Sequence, residues 1–98
     1  MASYVMLFNF TAQGIEKLEE SPARVDAAKK LCRDLGGEVK QFFGLMGRHD
    51  TMFILEAPDD ETAVKIAAAI SKRGNVRSET LRAFTETEFR QIVSALPS

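Results

Sequence analysis

Residues 4–10 read Tyr-Val-Met-Leu-Phe-Asn-Phe, a run with no wet side until Asn9. In an extended chain, side chains alternate between the two faces. Tyr4, Met6, Phe8 and Phe10 therefore point one way, and Val5 and Leu7 the other. Residues 51–57 repeat the feature, with Phe53 and Leu55 opposing Met52 and Ile54. Two strands that are apolar on both faces belong in the middle of a sheet, with cover on each side.

The intervening segments read as helices. Thr11 can cap a short helical turn carrying Ile15 and Leu18. Ser21-Pro22 reads as a helix start, with Ser at N-cap and Pro in the first helical position. Val25, Ala28, Leu31 or Cys32, and Leu35 follow at helical spacing, and Gly36-Gly37 ends the segment. Residues 39–46 form a second strand, and Gly47-Arg48-His49-Asp50 is the turn into the third. Pro58-Asp59-Asp60-Glu61 opens the next helix, with its acids at the positive end of the helix dipole. Val64, Ala67, Ala68 and Ile70 or Ser71 are expected as its packing face, and Gly74 stops it. Residues 75–84 form the fourth strand. Thr85-Glu86-Thr87-Glu88 is a capping box, with Phe84 and Phe89 placed as a hydrophobic staple. The last helix presents Phe89, Ile92 or Val93, and Leu96, which are expected to dock it on the domain or on a second subunit.

The order β-α-β-β-α-β plus a C-terminal helix predicts one α+β domain over residues 1–98. It is a split βαββαβ arrangement: a four-stranded antiparallel sheet, strands one and three central, two helices on one face. The second face then carries large apolar groups that water would meet. A monomer rarely exposes such a patch. Packing of sheet face on sheet face between copies is therefore expected. The plainer alternative is that residues 11–20 and the last helix cover it within one chain.

Charge excludes some partners. Thirteen Lys and Arg face fourteen Asp and Glu, a formal net charge of −1, and the basic residues are scattered. No field favours nucleic acid or an anionic membrane. No run reaches the ~18 apolar residues of a membrane span, and the N-terminus has no basic leader. The single Cys32 gives no internal disulfide and no cysteine zinc site, and a cytoplasmic location is expected. Neither a metal nor a cofactor is expected, since no phosphate loop, zinc spacing or dinucleotide fingerprint occurs.

Four residues are candidates for a polar site. His49 is the one side chain that titrates near neutrality, and Asp50 is its nearest carboxylate in sequence. Asp50 has a plainer role in bonding turn backbone. Arg82 and Tyr4 are candidate wall residues of an inter-sheet cavity whose mouth holds the turn. Arg77 and Arg82 take opposite faces of their strand by parity, and either serves equally as an edge charge that discourages aggregation.

The segments Ser3–Thr11 with Gln13-Gly14-Ile15, Gly47-Arg48-His49-Asp50, Glu56-Ala57-Pro58-Asp59-Asp60-Glu61, and Gly74–Arg77 running to Thr80–Thr85 resemble the GYD domain family over nearly the whole chain. His49 stands where the Tyr of the Gly-Tyr-Asp signature would fall. The resemblance implies a ferredoxin-like fold of the dimeric α/β-barrel kind, in which two sheets pack face to face. It implies no particular reaction.

Three functional classes follow. The first is an oligomeric binding or regulatory module, its partners further copies of itself and a small molecule. The second is a small cofactor-independent enzyme with His49 as acid/base. The third is an RNA-recognition module, disfavoured because the third strand lacks the aromatic-glycine signature and the chain is not basic.

Overall fold

The computed structural model describes residues 1–98. Its elements are β1 (Ala2–Phe10), α1 (Ala12–Glu16), a single 3₁₀ turn (Leu18–Glu20), α2 (Ser21–Asp34), β2 (Glu38–Gly44), β3 (Thr51–Ala57), α3 (Asp60–Ser71), β4 (Val76–Ala83) and α4 (Glu86–Ser94). All strand pairs are antiparallel, in the order β2-β3-β1-β4. The two strands that are apolar on both faces are the central ones, as a buried position demands.

Register assigns the faces. Tyr4, Met6 and Phe8 align with Leu55, Phe53 and Thr51 of β3 and with Arg82, Thr80 and Ser78 of β4. This side lies under α2 and α3 and holds the core, eleven buried residues that include Tyr4, Met6, Phe8, Phe53, Leu55 and Cys32. Phe8 meets Phe53 edge to face at 5.2 Å, and Phe42 meets Phe53 at 5.9 Å. Burial pushes the Cys32 thiol up to about 11, so it stays a protonated core group.

Two local expectations are corrected. The packing face of α3 is Ala63, Ile66 and Ile70, with Ala67 partly buried; Val64 and Ala68 face solvent. Ser21 does not cap α2 with its side chain: the 3₁₀ turn runs straight into the helix, and Glu20 occupies the cap position without a side-chain hydrogen bond. Other signals hold. The Asp59 carboxylate accepts from the Thr62 N–H at 2.8 Å, and this bonding keeps its pKa below the usual carboxylate range. Gly36 takes φ 94° after α2, a conformation other residues resist. The capping box of α4 is complete: Thr85 Oγ1 accepts from the Glu88 N–H at 3.1 Å, and the Thr85 N–H donates to Glu88 Oε1 at 2.8 Å.

α4 makes only marginal contact with the rest of its own chain. Phe89, Ile92, Val93 and Leu96 are exposed, so the expected docking does not occur within the chain. Phe84 lies 4.5 Å beneath the Arg82 guanidinium.

One core group is unsatisfied. Thr80 Oγ1 is buried beneath the helices and has no hydrogen-bond partner. Thr80→Val keeps the β-branched shape and removes the orphan. It is expected to gain about 1 kcal/mol, seen as a melting temperature raised by about 4–8 °C for a domain of this size. An unchanged or lower melting temperature in a circular dichroism scan would refute this account of Thr80.

Candidate functional site

The helix-free sheet face is built by parity and register. Val5 and Leu7 of β1, Met52 and Ile54 of β3, Phe43 of β2 and Leu81 of β4 share it. Phe43 is 47% exposed and Leu81 46%. Neither residues 11–20 nor α4 covers it: α1 sits at the end of β1 against Asn75, with Ile15 and Leu18 exposed, and α4 projects away. A sheet side in water ordinarily reads polar, and this one has an apolar centre.

A polar rim closes one end of that face. The loop after β2 folds back on the end of β1, where the Asp50 N–H donates to the Phe8 carbonyl at 2.9 Å. Asp50 Oδ2 accepts from the Phe10 N–H at 2.8 Å, so this carboxylate is engaged with backbone. The His49 ring instead turns to Asn9 and Glu79, both on the helix-free side. Asn9 Nδ2 donates to the Arg48 carbonyl at 2.7 Å, which leaves Asn9 Oδ1 as an acceptor. His49 Nδ1 lies 2.9 Å from that oxygen, and the bond requires the proton on Nδ1. Nε2 is then left without the proton, 3.8 Å from Glu79 Oε1. The His49 side chain is 24% exposed.

Tyr4 and Arg82 lie elsewhere. From Asn9 back to Tyr4 is five residues of strand, about 17 Å at ~3.3 Å per residue, and Tyr4 is on the opposite, helix-covered face. Its hydroxyl donates to Asp60 Oδ1 at 2.5 Å, tying β1 to the start of α3. Burial, then this bond, push the phenol up to about 12. Arg82 lies over the Tyr4 ring at 5.5 Å and donates to the backbone carbonyls of Ser3 and Ala83. The structure thus gathers His49 and Asp50 at one end of the molecule and Tyr4 and Arg82 at the other. Asn9 and Glu79, which sequence reasoning did not connect with His49, are the polar neighbours of the imidazole.

The aromatic residues of the central strands, Tyr4, Phe8, Phe10 and Phe53, all lie on the helix-covered side. The open face of β1 and β3 offers Val5, Leu7, Met52 and Ile54, none of which stacks a base.

A split βαββαβ domain with one face covered by helices and one open apolar face is the class these features define. A family model described as GYD domain matches residues 4–93, and the chain belongs to the GYD domain family. It is 30% identical, over 85% of its length and 88% of the relative's, to the glutamine synthetase and cystathionine beta-lyase binding protein of Thermus thermophilus. Two solved structures share the fold. The Mycobacterium tuberculosis leucine response regulatory protein superposes with a TM-score of 0.65 at 13% identity, over 86% of this chain and 51% of that one. The Thermus thermophilus protein TTHA0845 superposes with a TM-score of 0.57 at 22% identity, over 87% of this chain and 95% of that one. No helix of the structure is long and apolar enough to cross a membrane.

Proposed function

We propose that the chain is a homodimeric binding module of the cytoplasm that docks on a partner enzyme and so acts by association. The observation that carries this is the open apolar face formed by Val5, Leu7, Phe43, Met52, Ile54 and Leu81. Pairing two such faces removes both from water without asking either chain to refold. In that arrangement the His49 rim of each copy lies at the edge of the interface. The final helix stays outside, its apolar side available to a second protein. A relative named for binding glutamine synthetase and cystathionine β-lyase supports protein partners.

The test has two parts. Light scattering at micromolar concentration is expected to give about twice the 10.9 kDa of one chain. Isothermal titration with purified bacterial glutamine synthetase or cystathionine β-lyase is expected to show saturable heat. A 10.9 kDa particle rules out the dimer, and silence with both enzymes removes the support drawn from the relative.

A second reading rests on His49 alone. With Nδ1 bonded to Asn9, Nε2 has the tautomer and access that a general base needs. On that reading, activity would vanish in His49→Gln, whereas the binding module would lose nothing.

A further inference from the structure

A separate opening in the molecule lies on the other side of the sheet, away from His49. A cavity of about 320 Å³ lies between α2 and the end of the sheet where β1 finishes and β4 begins. Its floor is aromatic: Phe8, Phe42 and Phe53. Phe8 and Phe42 both meet Phe53 edge to face, packing the three rings together. Val25, Ala28 and Ile70 form apolar walls. This size and lining match a small-molecule pocket, which runs from ~300 to 1,000 Å³ and joins an apolar body to a few placed polar groups.

The mouth supplies those groups. Arg24 is held there by two carbonyls, Nη1 donating to the Gly14 oxygen at 2.9 Å and Nη2 to the Lys17 oxygen at 3.0 Å. Its charge is thus fixed in position and neutralised by no carboxylate. Arg73 reaches the same mouth from the end of α3 and has no ion-pair partner. Glu20 is the one acid beside them. Two cations against one anion leave a net positive collar on an aromatic pocket.

We infer that this cavity binds a small apolar carboxylic acid, its hydrocarbon or aryl body on the phenylalanine floor and its carboxylate at Arg24 and Arg73. Arginine suits such a head group because its planar donors meet both carboxylate oxygens. The site lies on the face opposite the proposed dimer contact, so ligand and second copy can be held at once. It does not depend on the dimer or on the partner enzyme.

The experiment compares 3-phenylpropionate with the uncharged 3-phenylpropanol by titration into ¹⁵N-labelled protein. The acid is expected to shift the amides of Phe8, Thr51, Phe53 and Val76 and to bind at least about five-fold more tightly than the alcohol, the margin a charge-assisted bond supplies. Arg73→Gln should weaken that preference, leaving Arg24 alone at the head group, while alcohol binding stays as it was. Ala27→Trp fills the cavity from an exposed helix position, where folding is not at stake, and should abolish both. Equal binding of acid and alcohol overturns the assignment of the head group. Shifts centred on Val5, Leu7 and Ile54, or no shifts with millimolar acid, overturn the site itself. Light scattering of Ala27→Trp separates this from the assembly proposal, since its mass should equal that of the parent chain.

Discussion

Ile54→Glu is expected to give a folded monomer of 10.9 kDa. Ile54 sits on a central strand, paired with Val5 on one side and Gln41 on the other, all on the helix-free face. In a free chain a glutamate there reaches water beside Gln41, and the core on the opposite face is untouched. In a face-to-face dimer the same change acts twice, because a twofold interface presents each residue in both copies. Two carboxylates then enter an apolar contact without partners, at a cost of several kcal/mol per ion. Assembly should weaken at least about 1,000-fold, which corresponds to ~4 kcal/mol. Circular dichroism should stay that of the parent chain while the mass from light scattering falls to half. A variant that keeps the parent's mass would place the contact elsewhere.

The sequence carries the apolar face plainly because parity alone assigns it: every second residue of 4–10 and 51–57 reports its side. The strand order followed from the same logic, and β3 has the bounds expected. Helix faces were less legible. In α3 the alanines at 63, 67, 68 and 69 give no contrast, so Val64 pulled the expected stripe round by one position, away from Ala63 and Ile66. The polar site failed to declare itself for a different reason. The neighbours of His49 are 40 and 30 residues away in sequence, at Asn9 and Glu79. Only the β1–β4 register and the fold-back of the hairpin loop bring them together. Asp50 is adjacent in sequence but is engaged by the Phe10 N–H. Tyr4 and Arg82 do share a face, as their pairing requires, but it is the covered one.

Gly14→Ala is expected to be the most damaging single-methyl change in the chain. Gly14 is buried, and a Cβ there would stand 2.0 Å from the Asn75 carbonyl oxygen, a backbone atom that cannot swing aside. The corner it occupies is cross-tied. The Thr11 N–H donates to the Asn75 carbonyl at 3.1 Å, Thr11 Oγ1 to the Gly74 carbonyl at 2.6 Å, and Gln13 Nε2 to Asn75 Oδ1 at 3.0 Å. Relieving the overlap means moving α1 and straining all three. Overpacking of this kind costs about 3 kcal/mol, or ~12–24 °C in melting temperature for a domain this size. Gly44→Ala is the control, since nothing lies within 4 Å of a Cβ there. It should change the melting temperature little. Equal melting of the two variants would show that the corner yields freely. The same corner anchors Arg24 through the Gly14 carbonyl, so Gly14→Ala should also disturb the mouth of the aromatic cavity.

In the proposed dimer, a core of eleven buried residues in a chain of 98 would make abundance a determinant of folding. So small an interior leaves each copy a narrow margin of its own. Whatever pairs with the open face or fills the cavity binds the native form alone, and mass action adds its free energy to that margin. On those two proposals, dilution and ligand depletion would act as denaturants. The melting temperature becomes a reading of how much of the protein, and of its occupant, the solution contains.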